Sequence, residues 1–242
     1  MTEGFSKTTK FLPAPELSKI ETILRKFHAG WLIKNETAFK NGAINSAYIT
    51  NGEFISAEER LELLKLVSSE KVITQARSSL GNDVRFLNTQ IFFNPLNPSQ
   101  NNYWHRDIQY TGQSEEQQRN IIQAKQTQVL HLRLALDDEN GLEFIPGTHF
   151  KWDDEEQLNT RLKRNGRTPS DNLPNSKAVP LRKGDLLAFD ANIIHRGLYG
   201  KNRFAFDMLF CQQIPDILKY RSADTLPKNE ELKNLECPEI FA

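Results

Sequence analysis

The 242-residue chain is poor in cysteine. Its only two, Cys211 and Cys237, make neither a disulfide framework nor a zinc site. Cys211 lies in an apolar run and reads as a small core residue. No hydrophobic run approaches the length of a membrane span. The first residues, MTEGFSKTTKFLPAPELSK, lack the apolar core of a signal peptide. A cytoplasmic location without a membrane partner is the expectation. Net charge is absent too: 31 basic residues balance 31 acidic ones. A nucleic-acid partner, which usually needs a basic excess, is therefore not expected. There are no internal repeats, no low-complexity tract and no linker that would divide the chain. One domain spanning residues 1–242 is the simplest organisation.

A charged content of 26% and a hydrophobic content of 38% suit an ordinary globular chain. Residues 1–82 read as mainly helical. Leu17, Ile20, Ile23 and Leu24 carry a helical spacing over 14–30, with Gly30 as a stop. Ser56 and Glu59 form a capping-box pattern ahead of a helix over 56–69. A further helix over 71–81 ends at Gly81. Beyond residue 82, short apolar and aromatic runs predict strands at 84–93, 103–109, 127–136, 142–145, 185–190, 193–199 and 203–213. The polar segment 151–180 reads as an excursion from the sheet, with a short helix at 154–163. Together these predict an α+β protein with a mainly β core over 83–213. Its architecture would be a jelly roll with the N-terminal helices packed on one sheet. Residues 214–242 are a C-terminal extension without identifiable chemistry, and nothing bears on oligomeric state.

Strand alternation assigns faces. Leu130, Leu132, Leu134 and Leu136 share one face, as do Phe204, Phe206, Met208 and Phe210. These faces call for burial beneath the helices. The opposite face carries His131, Arg133, Arg203 and Asp207. It either meets solvent, as in many antiparallel sheets, or lines a polar cavity.

Of the five histidines, His28 closes a predicted helix and is assigned no chemistry. His105 and Asp107 stand two apart, and in an extended segment both would point to one side. His195, at the end of a second apolar run, supplies a third ligand type. Two histidines and one carboxylate with open positions form the facial triad that holds non-haem Fe(II). The H-x-D spacing alone is weak. The ordered set of H-x-D, a distant His and then Arg203 beyond the turn YGKN is stronger. A guanidinium there can hold a carboxylate bidentately.

The stretches YWHRD (103–107), LALDDENGLEFIPGTH (134–149) and KGDLLAFDANIIHRG (183–197) resemble the phytanoyl-CoA dioxygenase family. The resemblance covers roughly residues 84–213. It implies a double-stranded β-helix and a dioxygenase that uses Fe(II), 2-oxoglutarate and O2. It further implies that His105, Asp107 and His195 ligate iron and that Arg203 binds the distal carboxylate of 2-oxoglutarate. Gln90 is a candidate second contact for this co-substrate, and Asn88 reads as an ordinary strand residue. His149, in the family's Pro-Gly-x-His turn, is expected to be structural. Retention of Asp107 argues for hydroxylation and against halogenation, which needs a small residue there.

The chain departs from the family pattern at Arg133, where an aromatic is frequent, and at Gly197, where a polar residue is frequent. His131, Arg133 and Asp207 are candidate contacts for a small polar substrate of acidic or zwitterionic character. A buried Arg133–Asp207 ion pair would account for two of them without any substrate. Segments 111–128 and 151–180 are candidate lids. Tyr103 and Trp104 are expected to pack on the face opposite His105. Two rival readings stand beside the hydroxylase: a jelly-roll binding protein without turnover, and an oxygenase acting on a protein side chain.

Overall fold

The apolar faces read from alternation do meet helices, and this fixes the layers. In the computed structural model, which describes residues 1–242, the helices are α1 (Ala14–Lys34), α2 (Glu36–Lys40), α3 (Ala57–Val67), α4 (Glu70–Leu80), α5 (Glu115–Gln123), α6 (Glu155–Arg161), α7 (Pro215–Leu218) and α8 (Asn229–Leu232). The strands are β1 (Phe5–Thr8), β2 (Asn45–Ala47), β3 (Val84–Phe93), β4 (Val129–Ala135), β5 (Glu139–Phe144), β6 (Lys177–Leu181), β7 (Leu186–Asp190), β8 (His195–Gly197) and β9 (Phe204–Gln212). They form a six-stranded sheet in the order β1-β7-β4-β9-β3-β2 and a three-stranded sheet β6-β5-β8. Every pairing is antiparallel. The two sheets build the double-stranded β-helix.

The main core lies between α1, α3 and α4 and the outer face of the large sheet. It holds Leu24, Phe27, Leu63 and Ile73 against Leu130, Leu132, Phe206 and Met208. Ser56 accepts from the Glu59 N–H while the Glu59 carboxylate takes the Ser56 N–H, so the predicted capping box is present. The C-terminal extension belongs to this layer. Leu235, Cys237, Ile240 and Phe241 are buried in the same core, and Arg60 pairs with Glu231.

Several expectations need correction. α1 runs past Gly30 to Lys34, and His28 lies inside it. Gly30 is there for close approach: a Cβ would sit 2.7 Å from the Phe54 ring. β1, β2 and β6 were not anticipated. β1 is largely exposed and β6 carries Pro180 on a sheet edge, so neither shows a buried-strand pattern. Segment 103–109 is not a strand. Only His105 pairs, by a single bridge to His195, and Asp107 opens a short 3-10 turn to Tyr110. No helix is long and apolar enough to cross a membrane.

Candidate metal centre

His105 and His195 are brought together by backbone pairing. Each donates its N–H to the other's carbonyl, at 2.9 and 3.0 Å. Residues paired in this way project their side chains on the same face, and the two rings lie 4.2 Å apart. The chain then turns, and the Asp107 N–H donates to the Ala191 carbonyl at 3.0 Å. His105 is thus tied to the first residue of β8 and Asp107 to the segment before it. Ligand atoms of His105, Asp107 and His195 all lie within 4.8 Å of one another. The convergence comes from this bridge and turn, not from strand alternation.

Tautomers follow from the acceptors. The Nδ1 of His105 faces the Tyr103 carbonyl at 3.2 Å, and that of His195 faces the Ile193 carbonyl at 2.9 Å. A carbonyl only accepts, so each Nδ1 carries the proton. Each Nε2 then presents a lone pair toward Asp107 Oδ1, at 3.6 and 3.8 Å. This is the orientation a metal needs from imidazole. Burial keeps both rings neutral: it lowers the His105 pKa and takes His195 down to about 3. For Asp107, burial works against ionisation. The His131 hydrogen bond and the surrounding imidazoles outweigh it and hold the carboxyl below its usual range. A preformed pair of neutral imidazoles beside a carboxylate fits a divalent cation.

His131 completes the support. Its Nε2 reaches the second oxygen of Asp107 at 2.8 Å and its Nδ1 reaches Asp207 Oδ2 at 3.1 Å. Burial opposes its charge, but the two carboxylates raise its pKa to about 9. Arg133 clamps Asp207 through Nε at 2.6 Å and Nη2 at 3.0 Å. Asp207 is fully buried and both its oxygens are engaged. It stands outside the cavity lining, contrary to the expectation of a substrate contact. The Arg133–Asp207 pair weighed from sequence is present, and His131 extends it to the metal cluster.

A cavity of about 300 Å³ opens on the cluster. Gln90, Phe92, His131, Arg133, Tyr199 and Arg203 line its wall. Arg203 is 3% exposed and donates through Nη1 to the Phe93 carbonyl at 3.1 Å. Its Nε has no partner. Burial first, then the nearby Arg133 charge, lowers its pKa to about 10. A buried guanidinium without a counter-ion is costly, and an incoming carboxylate would satisfy it. Gly197 is small for a reason visible here: a Cβ would lie 2.5 Å from Arg203 Nη2. We predict that Gly197→Ala displaces this guanidinium and raises the KM for an anionic co-substrate about tenfold, with little change in melting temperature. An unchanged KM would show that Arg203 has room to adjust.

Other residues fall elsewhere. Asn88 accepts from the Tyr48 and Thr89 N–H groups and stays out of the cavity. The His149 ring lies tilted against Phe150 beside Gly4, away from the cluster. Trp104 is buried with Ile145, Leu173 and Ile194, as expected of a packing residue. Tyr103 departs from expectation: it lines the cavity, 5.1 Å from the His105 ring. Its backbone bends between bridge and loop, so alternation does not hold there. Arg106 carries no signal in the sequence, yet it is fully buried and braces the loop. It donates to Asp153 at 2.7 Å and to the Thr148, Lys151 and Asn192 carbonyls. Its neighbours in space lie far along the chain, so no local signal marks it.

A metal-type cluster and a buried cationic wall inside a double-stranded β-helix define the class of the molecule. The chain belongs to the phytanoyl-CoA dioxygenase family, whose model matches residues 3–203. Solved structures share its fold. AviO1 from Streptomyces viridochromogenes Tue57 is 17% identical, with a TM-score of 0.59 over 88% of this chain and 91% of that one. EctD from S. alaskensis, solved with 2-oxoglutarate and 5-hydroxyectoine, is 18% identical, with a TM-score of 0.56 over 87% and 73%. The non-haem α-ketoglutarate-dependent epimerase SnoN of nogalamycin biosynthesis is 16% identical, with a TM-score of 0.57 over 94% and 88%. No curated protein sequence matches the chain.

Proposed function

We infer that the protein is a non-haem Fe(II)- and 2-oxoglutarate-dependent dioxygenase that hydroxylates a C–H bond of a small polar metabolite. The carrying observation is the convergence of His105, Asp107 and His195, with both Nε2 lone pairs turned inward. Bound iron, with 2-oxoglutarate and O2, would supply the oxidising chemistry and release succinate and carbon dioxide. The rest is done by the protein. His105, Asp107 and His195 would hold the ion at the wall of the cavity, whose remaining space would take the co-substrate. Arg203 fixes the far carboxylate of the co-substrate, and Gln90 offers an amide from the same wall. His131 keeps Asp107 oriented by holding its second oxygen. Phe92 and Phe189 exclude water beside the charged groups. Likeness to structures solved with iron or 2-oxoglutarate supports the reading.

The test is spectroscopic. Anaerobic protein given Fe(II) and 2-oxoglutarate should develop a weak visible charge-transfer band. Arg203→Met should weaken 2-oxoglutarate binding by roughly thirtyfold or more, as expected when a buried charge loses its partner. Folded protein that takes up no iron and shows no band would overturn the assignment and leave a jelly-roll binding protein.

A further inference from the structure

A second groove, of about 420 Å³, opens beside the metal cavity and shares Tyr103 and Tyr110 with it. Tyr103 and Tyr110 thus line both the metal cavity and this groove. The lining of this second groove contains Arg161 and Lys163 and no carboxylate. Its aromatic wall is offered to solvent, since Tyr110 is 62% exposed. The Tyr103 and Tyr110 rings flank the His105 ring at 5.1 and 5.9 Å. The tyrosines therefore border the metal cluster on one side and the groove that holds the two cations on the other.

Arg161 is the telling residue. It is 3% exposed, yet it borders the groove. Its Nε donates to Asp153 Oδ2 at 2.7 Å, and its Nη1 donates to Gln109. Its Nη2 has no protein partner. Asp153 is already shared, because its Oδ1 takes Arg106 Nε at 2.7 Å. One buried carboxylate thus stands between two guanidiniums, and the triad keeps a positive charge. Arg106 has three backbone carbonyls around its other nitrogens. Arg161 has only the Gln109 amide, so the surplus charge is left on the groove side. A nearly buried cation whose free nitrogen is open on the groove side is best satisfied by an anion. Lys163, exposed one turn edge away, adds a second charge.

We propose that this groove is the recognition site for an anionic group of the substrate, a phosphate or carboxylate, carried on a body flat enough to lie across Tyr103 and Tyr110. Building on the oxygenase reading, this narrows the substrate from a polar metabolite to an anionic one. Segment 151–180 then acts in specificity through Arg161 and Lys163, and Gln109 links that segment to the loop carrying Asp107.

Phenyl phosphate and phenol share a ring and differ in charge, and benzoate and benzamide form the carboxylate pair. Each is titrated calorimetrically into protein saturated with 2-oxoglutarate, so that Arg203 is occupied. Phenyl phosphate or benzoate should bind at least tenfold more tightly than its neutral partner, and the stronger anion identifies the group. Lys163→Gln, an exposed change that leaves the buried triad intact, should weaken the anion about threefold. Arg161→Lys, which keeps charge but loses the planar fork, should weaken it about tenfold. Equal binding of charged and neutral probes, or anion binding indifferent to both variants, would overturn the proposal. The same titration in Arg203→Met without 2-oxoglutarate separates the two readings. A missing charge-transfer band condemns the oxygenase assignment, whereas a missing anion preference condemns the groove.

Discussion

Asp107→Ala should reduce succinate formation to background and abolish the stabilisation that iron confers. Asp107 supplies the only carboxylate in the cluster, and its Oδ1 lies within 3.8 Å of both histidine Nε2 atoms. Two neutral imidazoles remain in the variant, and with no halide to take the vacated position they hold a divalent ion far more weakly than the full triad does. A ligand present at a hundred times its Kd stabilises a protein by about 2.7 kcal/mol. The wild type should therefore melt several degrees higher with Fe(II) under anaerobic conditions, and the variant should not shift. The metal-free proteins should melt close together, because the Asp107 side chain is partly exposed at the cavity. Full succinate formation in the variant, or an undiminished iron shift, would remove Asp107 from the metal site. Loss of fold in metal-free Asp107→Ala would instead make its bond to His131 the dominant role.

That cluster was legible in the sequence as residue types, though not as geometry. The H-x-D…H…R order named His105, Asp107, His195 and Arg203, and the structure gathers all four around one cavity. Alternation along a strand predicts that His105 and Asp107 converge, and the backbone does otherwise. One bridged residue followed by a tight turn brings the same atoms together. A period of two needs a sustained ladder, and a single bridge supplies none. In β4 and β9 the ladder is long, and alternation held. The leucines of β4 and the phenylalanines of β9 face α1, α3 and α4, while His131, Arg133 and Asp207 face inward.

Long-range polar partnerships were the least legible. Arg106, Asp153 and Arg161 form a buried triad whose members are spread along the chain from the metal loop to the end of α6. Nothing local distinguishes them from solvated charges, since pairing is a property of the folded contact. Edge strands failed for a related reason. β1 pairs with β7 along one edge only and has little burial of its own, so its sequence carries no apolar alternation.

The inward network gives the second large effect. Asp207→Ala should destabilise the protein by about 3–5 kcal/mol, the cost of leaving a buried charge without its partner. Asp207 is fully buried, and its two oxygens serve Arg133 and His131. Burial alone would raise its pKa, but Arg133 and His131 outweigh burial and hold it below the ordinary value. The folded pKa is depressed, so the contribution is fully present above the unfolded value of about 4. It is lost as pH falls through the folded value, and urea unfolding at neutral pH therefore reads it in full. Arg133→Met combined with Asp207→Ala should recover a substantial part of the loss, because the variant no longer buries an unpaired guanidinium. The functional signature is separate. Without Asp207, His131 loses one of the two carboxylates that orient it, and its grip on Asp107 loosens. Iron affinity should fall about 10- to 100-fold even in the double variant, as for other groups that steer a metal ligand from behind. A single variant that loses less than about 1 kcal/mol would class the pair with solvent-exposed bridges. Unchanged iron affinity in the double variant would confine the Arg133–Asp207–His131 chain to stability and leave Asp107 to orient itself.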